Sequence, residues 1–123
     1  MLNTLKAAFY FLRFLMILGR EVVLATIAVT KLVLGPAHRV RSGFVAIPLD
    51  ADTDLEVTAL ANSITLTPGT ITVYVNPTYD LLVVHAIDIG DDPEEMRRVT
   101  KEVLEANILR WTRLLPWAPR SNA

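Results

Sequence analysis

The chain has no cysteine. It therefore has no disulfide, no thiolate nucleophile and no cysteine-based metal site. It also has no excess of positive charge. Its 12 Lys and Arg stand against 13 Asp and Glu, for a net charge of −1, which excludes the basic footprint that nucleic-acid binding requires. It has no glycine-rich phosphate loop, no internal repeat and no low-complexity tract. With 123 residues there is room for one domain and an extra element, not for two full domains.

What the chain has in quantity is apolar side chains. They make up 52% of the residues, and the mean hydropathy is +0.39. Most of that excess lies in the first 34 residues. Residues 5–34 contain no proline and one glycine. The run is too long for the apolar core of a secretory signal and goes straight into Gly35-Pro36. A helix of about 30 residues is about 45 Å long, enough to cross a hydrocarbon core of about 30 Å. The expectation is a transmembrane helix over 1–35, stopped by glycine at its end and by a proline that cannot continue the ladder.

Arg13, Arg20, Glu21 and Lys31 interrupt the run. On a helical wheel Lys6, Arg13, Arg20 and Lys31 share a strip about 40° wide. In one arrangement the helix spans a bundle and this strip meets partner subunits, which makes Arg13, Arg20 and Glu21 candidate subunit contacts. In the other it lies in the membrane interface with the strip toward headgroups. So narrow a polar face is thin for an interfacial helix, which favours the bundle. Lys31, Arg39 and Arg41 follow the helix and only Lys6 precedes the apolar run. The positive-inside rule then places the C-terminal domain in the cytoplasm.

Residues 36–42 read as a basic linker, 43–116 as a compact domain and 117–123 as a tail. Residues 43–49 form a short strand ended by Pro48. Thr53 and Glu56 fit a capping box, opening a helix that buries Leu55, Val57, Leu60, Ala61 and Ile64. Thr67-Pro68-Gly69-Thr70 is a type II turn, with positive φ at Gly69. Residues 71–75 alternate, placing Ile71, Val73 and Val75 on one face. A hairpin loop at 76–80 leads to the longest apolar strand, 81–89, at the centre of the sheet. Asp92 caps the last helix, with Pro93 at its first position. That helix buries Met96, Val99, Val103, Leu104, Trp111 and Leu114. The fold class is a small α/β (α+β-like) domain, β-α-β-β-α. A three-stranded mixed sheet covered on one face by two helices is expected.

Candidate chemistry is sparse. His85 and Asp88 point to opposite faces of their strand and form no pair. A lone histidine in an apolar strand is more often structural than a ligand. His38 lies in the basic linker, where solvent or headgroups are its default neighbours. Asp50, Asp52 and Asp54 alternate, yet the central glycine and closing glutamate of a calcium loop are missing. Ser63 and Thr65 lie in no nucleophile elbow. The reading is of a non-enzyme without cofactor or metal.

Residues 60–70, Leu60-Ala61-Asn62-Ser63-Ile64-Thr65-Leu66-Thr67-Pro68-Gly69-Thr70, then a strand, then Val84-His85-Ala86-Ile87-Asp88-Ile89, resemble the E subunit of the multisubunit Na+(K+)/H+ antiporters, the Mrp/Mnh type. Arg20-Glu21 with Leu24-Ala25, and Gly43 to Leu49, resemble the same family, so that the likeness runs to about Leu104. Family members usually carry further hydrophobic helices before the one seen here. The resemblance implies an accessory or scaffold subunit in the cell membrane of bacteria, held among other membrane subunits of a complex that exchanges Na+ or K+ for H+. It also makes Asn62, Ser63, Thr65, Thr67, Pro68, Gly69, Thr70, His85 and Asp88 the family motif residues. The short polar groups at a helix end point to a structural or contact role for the motif. The competing role is to line a hydrated cation route. A different class of function is a stand-alone membrane-tethered adaptor or anionic-lipid-binding module.

Overall fold

A computed structural model describes residues 1–36 and 40–116. His38 and Arg39 of the linker, and the tail 117–123, lie outside the described residues. The elements are α1 (Leu2–Leu34), β1 (Gly43–Pro48), α2 (Asp54–Leu66), β2 (Thr70–Val75), β3 (Leu81–Ala86), α3 (Pro93–Val99), a π-helical segment (Thr100–Glu105) and α4 (Ala106–Thr112).

The strands lie in the order β1-β3-β2, and both outer strands run antiparallel to β3. The expected mixed sheet is thus fully antiparallel, with β3 at its centre as its apolar run demands. β1 and β2 are parallel to each other but separated by β3, a split β-α-β arrangement. Leu82, Val84 and Ala86 are buried on the helix-covered face, beside Val45 and Ile47 of β1. β3 stops at Ala86 rather than Ile89. Beyond it Asp88 turns the chain, its carboxylate accepting from Gly90 N at 3.0 Å.

β2 departs from simple alternation. Its register against β3 slips between Thr72 and Tyr74, a bulge that moves Val73 out of the ladder. Thr72 therefore faces the core side opposite Val84, and Val75 packs inward. Ile71 and Val73 are exposed.

The caps form as the residue types predict. Thr53 Oγ1 accepts from Glu56 N at 3.2 Å. Glu56 reaches one residue further back than its cap, to Asp52 N at 3.1 Å. Asp92 accepts from Glu94 N at 3.0 Å, with Pro93 following. The C-terminal helix differs in phase. Met96, Thr100, Leu104, Ile108 and Thr112, four residues apart, face the domain, and Val99 and Val103 are only half-buried. An α-helix would carry such a row about 40° further round at each step. The wide π turn takes up part of that drift and turns Glu105 inward with Leu104.

α1 has the length of a membrane span but not its apolarity. No helix among the described residues is long and apolar enough to cross a membrane, because Arg13, Arg20, Glu21 and Lys31 break the run. Nor does α1 stand apart from the rest. It packs on α4, and its Phe14 belongs to the same core cluster as Val45, Leu60, Leu82 and Ile108. The Trp111 ring meets Phe11 edge-on, with centroids 5.0 Å apart.

Candidate functional site

The segment 60–70 ends α2 and starts β2, and its short polar side chains are spent on its own backbone. A helix leaves its last four carbonyls without intrahelical partners. Here Ser63 O accepts from the Thr67 hydroxyl at 2.9 Å, and Ile64 O from the Thr70 hydroxyl at 2.6 Å. Ser63 Oγ donates to Ala59 O at 2.6 Å, and Thr72 Oγ1 donates to Ala61 O at 3.1 Å. Thr65 Oγ1 accepts from Thr72 N at 3.2 Å. Thr70 N closes the turn on Thr67 O at 3.2 Å, and Gly69 has φ +91°. This is the type II geometry expected of Pro68-Gly69. Asn62 and Thr65 are the exposed motif residues of α2.

The turn also touches α1. A Cβ at Gly69 would lie 2.9 Å from Val29 Cγ2 and 3.0 Å from Ile87 Cγ2, so that only glycine allows this approach. Beside it opens a cleft of about 520 Å³. Glu21 of α1, Thr67 and Thr70 of the turn, Asp88, and Glu95 of α3 stand on its walls, over apolar side chains that include Ile64, Val84 and Leu104. Four expected site residues from three separate stretches of chain are thus brought together. Among the described residues no group of three or more His, Asp and Glu side chains is placed to hold a metal ion.

The other expected site residues go elsewhere. Arg20 pairs with its own neighbour, Nη1 lying 2.8 Å from Glu21 Oε1, and the Glu21 side chain is 17% exposed. Arg13 is exposed on the outside of α1. His85 sits on the open face of the sheet, edge-on to Phe44 with centroids 5.0 Å apart. Asp88, on the cleft wall, lies past the strand end and also accepts from Arg41 N at 3.4 Å.

A buried polar network was not legible as a site. Glu56 and Glu105, from α2 and the π segment, both reach into the loop before α2. Glu105 accepts from Asp50 N at 3.2 Å and from Lys101 Nζ at 2.6 Å. Lys101 Nζ also bonds Asp50 Oδ2 at 2.8 Å and Pro48 O at 2.9 Å. Burial alone would raise the Glu56 pKa, but hydrogen bonds from Asp52 N and the Thr112 hydroxyl, with the Arg113 charge, hold it below the ordinary value. The hydrogen bond and charge of Lys101 lower that of Asp50. Lys101 itself is raised: burial opposes its charge, but Asp50 and Glu105 prevail. The signals in the sequence are the capping-box place of Glu56, which says nothing of its burial, and the i, i+4 spacing of Lys101 and Glu105, which on most helices marks a solvated pair.

Comparison with known proteins places these features in a family. The model of the MNHE family, Na+/H+ ion antiporter subunit, matches residues 1–111. The chain is 37% identical over 94 residues to the E subunit of the Na(+)/H(+) antiporter of Alkalihalophilus pseudofirmus, covering 76% of this chain and 59% of that protein. It is 34% identical over 91 residues to the corresponding antiporter protein of Bacillus subtilis, covering 74% and 53%. The chain thus spans somewhat over half the length of these relatives. Among solved structures it resembles a chain of the Mrp complex from Dietzia sp., with 30% identity, a TM-score of 0.57, and 86% of this chain and 94% of that one covered. It also resembles a chain of the membrane-bound sulfane sulfur reductase, an archaeal respiratory membrane complex, with 30% identity, a TM-score of 0.67, and 83% and 65% covered.

Proposed function

The chain belongs to the MNHE family of Na+/H+ ion antiporter subunits, and from that premise we propose that it is an accessory, scaffolding subunit of a multisubunit antiporter exchanging Na+ or K+ for protons in the cell membrane. The observation that carries this is the family match over residues 1–111, which takes in α1 and every strand of the domain. Its partners are the other membrane subunits of that complex, and its domain stands on the cytoplasmic side.

A scaffold role, rather than that of the ion carrier, rests on the side chains. Proton and cation routes use ionisable groups inside the membrane region. The only acid of α1, Glu21, is already paired with Arg20. The motif hydroxyls of Ser63, Thr67 and Thr70 donate to backbone carbonyls. The likeness to chains in both an antiporter complex and a reductase complex further supports a part that serves assembly more than one particular chemistry. The stand-alone adaptor has no such support.

Purification in mild detergent tests the proposal. Companion membrane subunits should elute with this chain, and its deletion should lower cation-driven proton exchange in everted vesicles. An isolated monomer, with antiport unchanged by the deletion, would overturn the proposal in favour of the adaptor.

A further inference from the structure

α1 has three faces, and their angular order is informative. At 100° per residue, Ala7, Phe14, Leu18, Ala25, Val29 and Leu32 fall within about 60° of one another. This is the face packed on the domain: Ala7 and Phe14 are buried, Leu18 packs on the core, Val29 lies against Gly69, and Ala25 and Leu32 line a small cleft beside Pro68. Leu5, Phe9, Leu12, Met16, Val23 and Ile27 form a second stripe, also about 60° wide and about 160° from the first. Their exposure runs from 48% at Ile27 to 77% at Met16. The basic strip of Lys6, Arg13, Arg20 and Lys31 lies about 70° to one side of that stripe.

We propose that α1 lies flat on the membrane, its exposed apolar stripe sunk at the boundary of headgroups and acyl chains, its basic strip on anionic headgroup phosphates, and the domain standing on the water side. The proposal rests on the reading of this chain as a membrane-complex subunit and says how it meets the bilayer. Three observations converge on lipid as the occupant. The stripe runs along the helix directly away from the domain, so one plane serves both the membrane and the fold. The flanking cations complement anionic headgroups and are long enough to snorkel to them. On the other flank, Thr26 and Thr30 donate their hydroxyls to Val22 O and Thr26 O, each at 2.7 Å, leaving little for water to bond.

Insertion across the bilayer is at odds with the packing. The domain holds α1 from Ala7 to Val29, 22 residues apart and about 33 Å along the axis. A perpendicular α1 would carry the cleft carboxylates of Asp88 and Glu95, which stand beside Glu21, into the hydrocarbon, where charge is expensive. The thinness of the basic strip, which favours a bundle when the helix is taken alone, no longer counts: the rest of the polar half of α1 is replaced by the domain packed on it.

The test uses the full chain, purified in detergent and reconstituted into vesicles of phosphatidylcholine with or without phosphatidylglycerol. With no native cysteine, Leu5→Cys, Met16→Cys and Ile27→Cys each take one nitroxide. All three should report the same shallow depth, whereas a spanning helix reports graded depths with the deepest in the middle, and that result overturns the proposal. Lys6→Gln with Arg13→Gln, two exposed side chains clear of the Arg20–Glu21 pair, should lower binding to the anionic vesicles roughly 30-fold and leave binding to neutral ones unchanged. Unchanged thermal unfolding controls for the fold. No vesicle binding, with companion subunits still co-purifying, means that the stripe is covered by protein, which overturns this inference and leaves the functional reading standing. Shallow binding with no companion subunits does the reverse.

Discussion

Thr112, in the last turn of α4, donates its hydroxyl to Glu56 Oε1 of α2 at 3.0 Å, and both side chains are buried. The bond joins the two helices that cover the sheet, and the same carboxylate holds Asp52 N at 3.1 Å. Glu56→Ala leaves the Asp52 N–H without its acceptor, leaves the Thr112 hydroxyl only the Ile108 carbonyl, and empties the buried space of the carboxylate. It should cost about 1–3 kcal/mol. Thr112→Val removes only one donor and should cost less. Denaturant unfolding of the two variants checks the order.

Stability should fall on acidification. Glu56 and Asp50 both have folded pKa values below their ordinary ones. A depressed carboxylate contributes stability that is complete above its unfolded pKa, about 4, and is lost as pH drops through the folded value. The melting temperature should therefore decline below about pH 4. Glu56→Gln should start lower at neutral pH and decline less steeply. A parallel decline in both proteins would remove Glu56 as a cause.

Lys101 is raised, so its contribution has the opposite sign. It is complete below the ordinary lysine value, about 10.4, and is lost as pH rises through the folded one. Lys101→Met also leaves the buried Glu105 carboxylate without its cation, held only by the backbone N–H of Asp50 and Ala51, and should cost about 3 kcal/mol. Arg98→Met, which breaks exposed pairs with Glu95 and Glu102, should barely move the unfolding midpoint.

Gly69→Val should lower the yield of assembled complex. The position has φ +91° and Val29 Cγ2 2.9 Å from where a Cβ would stand. The backbone strain alone is worth about 1–3 kcal/mol. Adding Val29→Ala relieves the closer of the two clashes but neither the one with Ile87 nor the φ, so the double variant should recover only part of the loss. Full recovery would mean that the turn tolerates a side chain at this φ.

Thr58→Cys, on the exposed side of α2, places one thiol in a chain that has none. It should resist an impermeant maleimide in intact cells and react after lysis. Labelling in intact cells would put the domain outside.

The order of elements was legible because each is encoded by its neighbours in the chain. Thr53 with Glu56, Asp92 with Pro93, and Pro68-Gly69 act within a few residues, and each forms as its residue type demands. The central place of β3 followed from an apolar run that needs cover. The motif turn was legible for the same reason, and so was the family. What the local pattern does not contain is the partner of each face. The bulge at Val73, the π turn that realigns Thr100 to Thr112, and the burial of Glu56 and Glu105 arise where a strand or helix must fit another already in place. The same holds for α1. Its length and apolar content, read alone, raise the expectation of a membrane span, and the chain pattern does not record which of those residues are already covered. Only the tertiary structure assigns Phe14 and Val29 to the domain and leaves Phe9 and Met16 on the outside, because burial belongs to the pair of surfaces that meet and not to either stretch of chain.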